Sequence, residues 1–149
     1  MPVGISGLIM KHSMSKEDQA FKYQVETCEF PVAEFDHRAH IRLAYVYLTE
    51  NSESESVHLM RETLTALLRH VGIDPSQKYH ETLTVSWIRA VAHFMRRTDD
   101  CLSAGDFIEK NTVMLDSKIM MTHYSTEVLF SDDARKAFVE PDLSTIPRQ

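Results

Sequence analysis

Three long stretches of the chain place apolar residues at the spacing of an α-helix. The predicted helices run from Asp36 to about Glu50, from Ser52 to about Gly72, and from His80 to about Arg97. Asp36 and Ser52 are residue types that cap helix N-termini, and Gly72 suits a helix end. Glycine is scarce, and no Asn-Gly or Asp-Gly pair lies between alternating apolar residues, as a tight β-hairpin would require. The pattern therefore predicts an all-α fold.

The remainder of the chain is divided into shorter segments. Short helices are predicted from Ser103 to about Lys110, from near Asp116 to His123, and after Ser131. In the C-terminal tail, Leu143 and Ile146 are expected to lie back on the body of the protein. Residues 1–25 are predicted to form a loose N-terminal arm. Residues 26–149 are predicted to form one helical domain, a bundle of three long helices plus several short ones.

Composition and charge narrow the class of protein. The chain has 149 residues, of which 43% are hydrophobic and 26% charged, as expected for one soluble globular domain. The net charge is -6 and no helix carries a basic stripe, which argues against a nucleic-acid partner. Apolar runs are short and the N-terminus lacks a charged start, so neither a membrane partner nor a signal peptide is predicted. Cys28 and Cys101 are isolated, which fits a cytoplasmic location.

Three of the eight histidines fall on helix faces that are predicted to point inward. His37 and His40 extend the apolar row of the first long helix, and His80 stands above Trp87 on the third. Buried polar groups need partners, which a bound metal ion or a polar pocket would supply. Two histidines three residues apart on a helix can chelate one ion, and a histidine from a second helix would complete three ligands. A core histidine with protein hydrogen-bond partners would give the same pattern.

Two further residues are secondary candidates for the same site. His123 could supply a fourth metal ligand, although the sequence favours a surface position at a helix end. Glu81 points about 100° away from His80 on a helix, so it is a candidate proton carrier at the rim rather than a ligand. A solvated glutamate is the alternative. The other four histidines are left out of the candidate site: those at positions 58 and 93 are expected to be exposed, the one at 70 borders the apolar row, and the one at 12 lies in the arm.

Recognised catalytic motifs do not fit this chain. Glu34 and Glu55 each precede a histidine at the Glu-x-x-His spacing of di-iron proteins. Glu34, however, precedes the predicted helix and Glu55 belongs to a cap, so two inward pairs are not available. The sequence also lacks the His-Glu-x-x-His motif, a phosphate-binding glycine loop and a Gly-x-Ser-x-Gly elbow.

Several sequence blocks resemble a family of small bacterial proteins with no established reaction. The blocks are Asp36-His-Arg-Ala-His-Ile-Arg-Leu-Ala-Tyr45, Lys78-Tyr-His-Glu-Thr-Leu-Thr84, His123-Tyr-Ser125, Leu129-Phe-Ser131 and Val139-Glu-Pro-Asp-Leu143. The similarity extends over roughly residues 30–147. It implies a single helical domain with a cluster of His37, His40 and His80, joined by Glu81 or Tyr124 as a catalytic group. It implies no particular metal or substrate.

Two classes of function follow from these patterns. In one, the protein is a metal-dependent enzyme. Its metal ligands would be His37, His40, His80 and conditionally His123, and the metal could be zinc, iron, copper or nickel. Glu81 or Tyr124 would transfer protons. In the other, it binds a small molecule or partner without chemistry, and the histidines line a polar pocket. A purely structural role for the histidines is a third interpretation. The sequence does not determine the oligomeric state, and a homo-oligomer is compatible with it.

Overall fold

The structure, a computed structural model, describes residues 11–147. The α-helices are α1 (Lys16–Glu26), α2 (His37–Glu50), α3 (Glu53–His70), α4 (Pro75–Lys78), α5 (Glu81–Arg96), α6 (Ala104–Lys110), α7 (Thr126–Leu129) and α8 (Asp132–Lys136). Short 3-10 helices cover Val32–Glu34, Thr112–Leu115 and Ser117–Thr122. Helices α2, α3 and α5 are the three long helices predicted from the sequence. The all-α fold class is confirmed, since the described part of the chain forms no strand.

Helix α2 is the centre of the bundle. It packs against α3 and α5, and also against α1 and α6. Because neighbours cover it on several sides, its buried surface is wider than the single apolar row that the sequence predicts. Tyr45 and Tyr47 are fully buried together with Ile41 and Ala44. The core therefore surrounds α2, and the N-terminal turn with His37 and His40 lies at one end of this core.

The loose arm predicted over residues 1–25 is wrong for the part that the structure describes. Residues 16–26 form α1, which Ser15 and Asp18 start with a reciprocal capping box. Phe21 and Val25 on this helix are buried in the core. Upstream of the helix, the backbone at residues 11–13 pairs with Cys101. The part of the predicted arm formed by residues 1–10 lies outside the described residues.

The C-terminal tail is held against the body by hydrogen bonds. The Leu143 backbone N–H donates to the carbonyl of His123, and the Ser125 N–H donates to Asp142. Ile146 is 5% exposed, so its predicted packing on the body is confirmed. Leu143 is 58% exposed, so the same prediction is wrong for that side chain. The tail is attached at this point through its backbone, and the side chain of Leu143 remains in solvent.

Candidate functional site

Three of the histidines singled out from the sequence bind backbone carbonyl groups. His37 Nε2 lies 2.8 Å from the oxygen of Met114, and His80 Nε2 lies 2.7 Å from that of Leu129. His123 Nδ1 lies 2.8 Å from the oxygen of Ser144. A carbonyl oxygen can only accept, so each of these ring nitrogens carries a proton. A protonated ring nitrogen has no lone pair to offer a metal ion.

His80 has both ring nitrogens occupied. The structure begins α5 at Glu81 and makes His80 the N-cap, in an extended backbone conformation. Its Nδ1 accepts the Leu83 N–H at 3.2 Å while Nε2 donates to Leu129. Burial lowers the pKa of His80 despite the opposing carbonyl bond, which favours the neutral ring that both contacts require. The sequence placed His80 inside the helix, and this one-residue difference removes it from the predicted inward row.

The predicted metal ligands are not assembled into one coordination sphere. His37 and His40 are neighbours, with ring centroids 6.5 Å apart, and His37 packs edge-on against Trp87 at 4.7 Å. His80 is fixed to α7 and His123 to the tail. Within residues 11–147, no group of three or more His, Cys, Asp or Glu side chains is placed to hold a metal ion. The geometry thus lends no support to a site made of these four histidines.

Glu81 is neither solvated nor free to carry protons. Its carboxylate accepts from Arg61 Nε at 3.0 Å and Nη2 at 2.6 Å, and from the hydroxyl of Tyr79 at 2.6 Å. Burial raises the pKa of Glu81, but the bonds from Arg61 and Tyr79 outweigh this effect, and the net pKa is lowered. These hydrogen bonds to Glu81 connect α3 to the start of α5 and fix the side chain of Tyr79.

Tyr124, which the resemblance implied as a member of the histidine cluster, makes structural contacts. Its hydroxyl donates to the carbonyl of Val139 at 2.6 Å and lies 3.3 Å from Ser86 Oγ. The side chain is fully buried, and burial raises the pKa of Tyr124. The phenol therefore holds the tail to α5 as a neutral donor.

A cavity of about 290 Å³ opens at the end of the core where α3, the 3-10 helix Val32–Glu34 and the junction of α4 with α5 meet. Two of the predicted site histidines, His40 and His80, contribute to its wall. Most of the wall is aliphatic or aromatic. The lining residues are Val32, Phe35, His40, Leu64, Leu67, Leu68, Lys78, Tyr79, His80, Leu83 and Thr84.

His40 differs from the other polar residues of this wall. Its Nε2 is buried and has no hydrogen-bond partner. Within residues 11–147, two other side-chain atoms are also buried without a partner, and both lie outside the cavity. Burial, assisted by the nearby His37, lowers the pKa of His40 to about 4. The ring is therefore neutral at pH 7 and keeps unused hydrogen-bonding capacity.

The other polar groups of the wall are already satisfied or exposed. The hydroxyl of Tyr79 donates to Glu81, and Thr84 Oγ1 donates to the His80 carbonyl at 3.0 Å. Lys78 is exposed. His40 is accordingly the lining residue whose buried polar atom has no partner in the described structure.

Sequence reasoning included His40 but missed most of this cavity. Leu64, Leu67 and Leu68 belong to the apolar row of α3, which the pattern assigns to the core. Val32 and Phe35 lie in a short segment with no periodic pattern. One signal was present, because Tyr79 and Thr84 flank His80 in the same sequence block. The pattern could not show that the leucines of α3 face that block across an unfilled space.

Comparison of the chain with protein-family models, curated proteins and solved structures gave no match. Among residues 11–147, no helix is both long enough and apolar enough to cross a membrane. We therefore infer the function from the geometry of the cavity and of the residues around it.

Proposed function

We propose that this protein binds a small, mainly apolar molecule in the cavity at the α4–α5 junction, with His40 as its polar contact. The observation that carries the proposal is an apolar cavity lined in part by His40, whose imidazole has a buried nitrogen without a hydrogen-bond partner. Pockets of this size, with an apolar wall and few polar groups, are the usual form of small-molecule sites. The cytoplasmic location predicted from the sequence belongs to the same proposal, and both cysteines are free thiols.

Packing energetics support a ligand in this space. Protein interiors are close-packed, with few voids larger than a water molecule. The cavity of about 290 Å³ is open to solvent, so its mainly apolar wall is in contact with water. A bound apolar molecule would remove that wall from water and add dispersion contacts.

Binding without chemistry fits the surrounding groups better than catalysis. The two predicted proton carriers, Glu81 and Tyr124, are held by Arg61 and by the tail. His40, with its pKa lowered to about 4, is a weak base at neutral pH. A metal ion at His80 would have to displace the Leu83 N–H from Nδ1 or the Leu129 carbonyl from Nε2, because both ring nitrogens are in use. Each of those changes costs a buried hydrogen bond.

A fragment screen observed by two-dimensional NMR tests the proposal. We expect small apolar fragments to shift amide signals that cluster around Phe35, Leu64 and Leu83. Leu83→Trp, which fills the cavity, should abolish those shifts. Leu102→Trp is the matched control, because Leu102 is 76% exposed and lies outside the cavity wall. Fragment shifts scattered over the surface, or shifts that persist in folded Leu83→Trp, would contradict the proposal.

A further inference from the structure

We infer that the ligand of this cavity is a neutral alcohol or phenol with a hydrocarbon body of about two fused rings, whose hydroxyl hydrogen bonds to the imidazole of His40. This inference rests on the proposed function and specifies the chemical class of the ligand. Three features of the cavity lead to it: its volume, the number of its unpaired polar atoms, and the position of its one charged residue.

The volume sets the size of the hydrocarbon body. An engineered apolar cavity of about 150 Å³ holds one benzene molecule. The cavity described here measures about 290 Å³, close to twice that volume. Two fused six-membered rings therefore fill it to a similar degree. The aliphatic side chains of Val32, Leu64 and Leu83 match such a body in polarity.

The number of polar groups on the ligand follows from the number of wall residues that lack a hydrogen-bond partner. Tyr79, His80 and Thr84 already have hydrogen-bond partners, so His40 remains. A neutral imidazole has one donor and one acceptor nitrogen, and a hydroxyl group can both accept and donate. One hydroxyl can thus pair with His40 in either tautomer. Rotation of the ring about χ2, which exchanges nitrogens with carbons of similar size, allows a nitrogen to face the ligand.

Electrostatics favour a neutral ligand over a carboxylate. Removing a carboxylate from water is unfavourable unless a close partner compensates. Lys78 is the cation of the wall, and it is exposed, so its ion pair with a ligand would compensate little of that cost. His40 lies among apolar groups and is held neutral, which makes it a poor counter-ion. Transfer from water into the cavity is therefore electrostatically unfavourable for a carboxylate, whereas an uncharged alcohol has no such charge to desolvate.

Three probes with the same ring system separate these possibilities: naphthalene, 2-naphthol and 2-naphthoate. Their dissociation constants would be measured by NMR titration of the full chain. In the wild type we expect 2-naphthol to bind more tightly than 2-naphthoate. The preference for 2-naphthol over naphthalene should fall by about fivefold or more in His40→Leu, because the hydroxyl loses its partner. His93→Leu should keep the preference, since His93 also has a buried unpaired nitrogen but does not line the cavity.

The outcomes show whether the inferred ligand class alone is wrong or whether the proposed function is wrong as well. If the probes bind at the cavity but 2-naphthoate binds most tightly, or His40→Leu leaves the hydroxyl preference unchanged, the ligand class is wrong and the cavity remains a binding site. If none of the probes shifts the cavity signals of the wild type, the inference is overturned together with the proposed function. A second measurement does not need a variant. The imidazole ¹⁵N signals of His40 should shift with 2-naphthol and change less with naphthalene, and equal changes would overturn the inference.

Discussion

Three of the histidines predicted to form a metal site each bind a backbone carbonyl through one ring nitrogen. His37, His80 and His123 all make this contact, each with a segment far away in the chain. His40 does not, and it is the member of the predicted cluster that borders unfilled space. The three histidines that donate to carbonyls thus join distant segments of the chain, whereas His40 is the candidate contact for a ligand.

At the residue scale, we predict that His80→Ala lowers the free energy of unfolding by about 2 kcal/mol. The variant loses the cap on the Leu83 N–H and the bond to the Leu129 carbonyl, each contributing about 1 kcal/mol. His80→Asn should recover roughly the capping part, because asparagine caps well but is too short to keep both contacts. Urea denaturation measures all three proteins. Equal stability of the alanine and asparagine variants would show that the cap is not part of this role.

Elements differ in how far local sequence determines them. Helices α2, α3 and α5 have long periodic patterns, and Asp36 and Ser52 cap α2 and α3 as predicted. Helix α1 has a local start signal in the capping-box spacing of Ser15, but its docking on the core depends on distant partners of Asp18. The carboxylate of Asp18 accepts from Ser15 within the capping box, but also from Arg42 and from the Ala104 N–H. Nothing local to residues 11–26 indicates the last two contacts.

At the element scale, we predict that Asp18→Asn costs about 2–4 kcal/mol of stability. The amide keeps one acceptor oxygen, so its NH2 group must face either Arg42, which binds Oδ1, or the Ser15 and Ala104 N–H groups, which bind Oδ2. Asp18 is 2% exposed, whereas its neighbour Glu17 is exposed, so Glu17→Gln is the control. Chemical denaturation with hydrogen exchange of the α1 amides gives the readout. An α1 that exchanges no faster in Asp18→Asn would contradict this role.

The same carboxylate predicts a pH dependence. Burial opposes ionisation of Asp18, but its hydrogen bonds prevail and its folded pKa lies below the ordinary 3.8. A depressed folded pKa means that the unfolded chain takes up the proton first. The contribution of Asp18 is therefore complete above pH 3.8 and is lost as the pH falls through the folded pKa. The stability difference between wild type and Asp18→Asn should narrow over that range.

On the scale of the whole molecule, distant parts of the chain meet at the sequence blocks around His80 and Tyr124. His80 and Thr82 of one block bind the Leu129 carbonyl and the backbone at residues 137 and 139. Tyr124 of another block also binds Val139. From the sequence, these blocks were interpreted as a metal or catalytic site. The type of a side chain is visible in a sequence, but the backbone group that it will bind is not. The cavity was missed for a related reason, since unfilled space depends on how α3 packs against the α4–α5 junction.

The final prediction tests whether these contacts fold the C-terminal tail. Thr82 Oγ1 donates to the Ala137 carbonyl at 3.0 Å and accepts the Val139 N–H at 3.1 Å. Thr82→Val keeps the shape of the side chain and removes both bonds, so we expect a loss of about 1–3 kcal/mol. The Val139 amide should also exchange faster than in the wild type. Thr65→Val is the control, because Thr65 bonds only to carbonyls of its own helix, at Arg61 and Glu62.

Combining Thr82→Val with Tyr124→Phe extends this test from one contact to the whole tail. Both side chains bind Val139, so their effects should not add if the tail detaches as a unit. We expect the double variant to lose less stability than the sum of the two single variants, because the first loss already releases the tail. Urea denaturation of the four proteins gives the coupling free energy. Strict additivity would mean that the two side chains stabilise independent parts of the structure, and that the tail does not dock as one element.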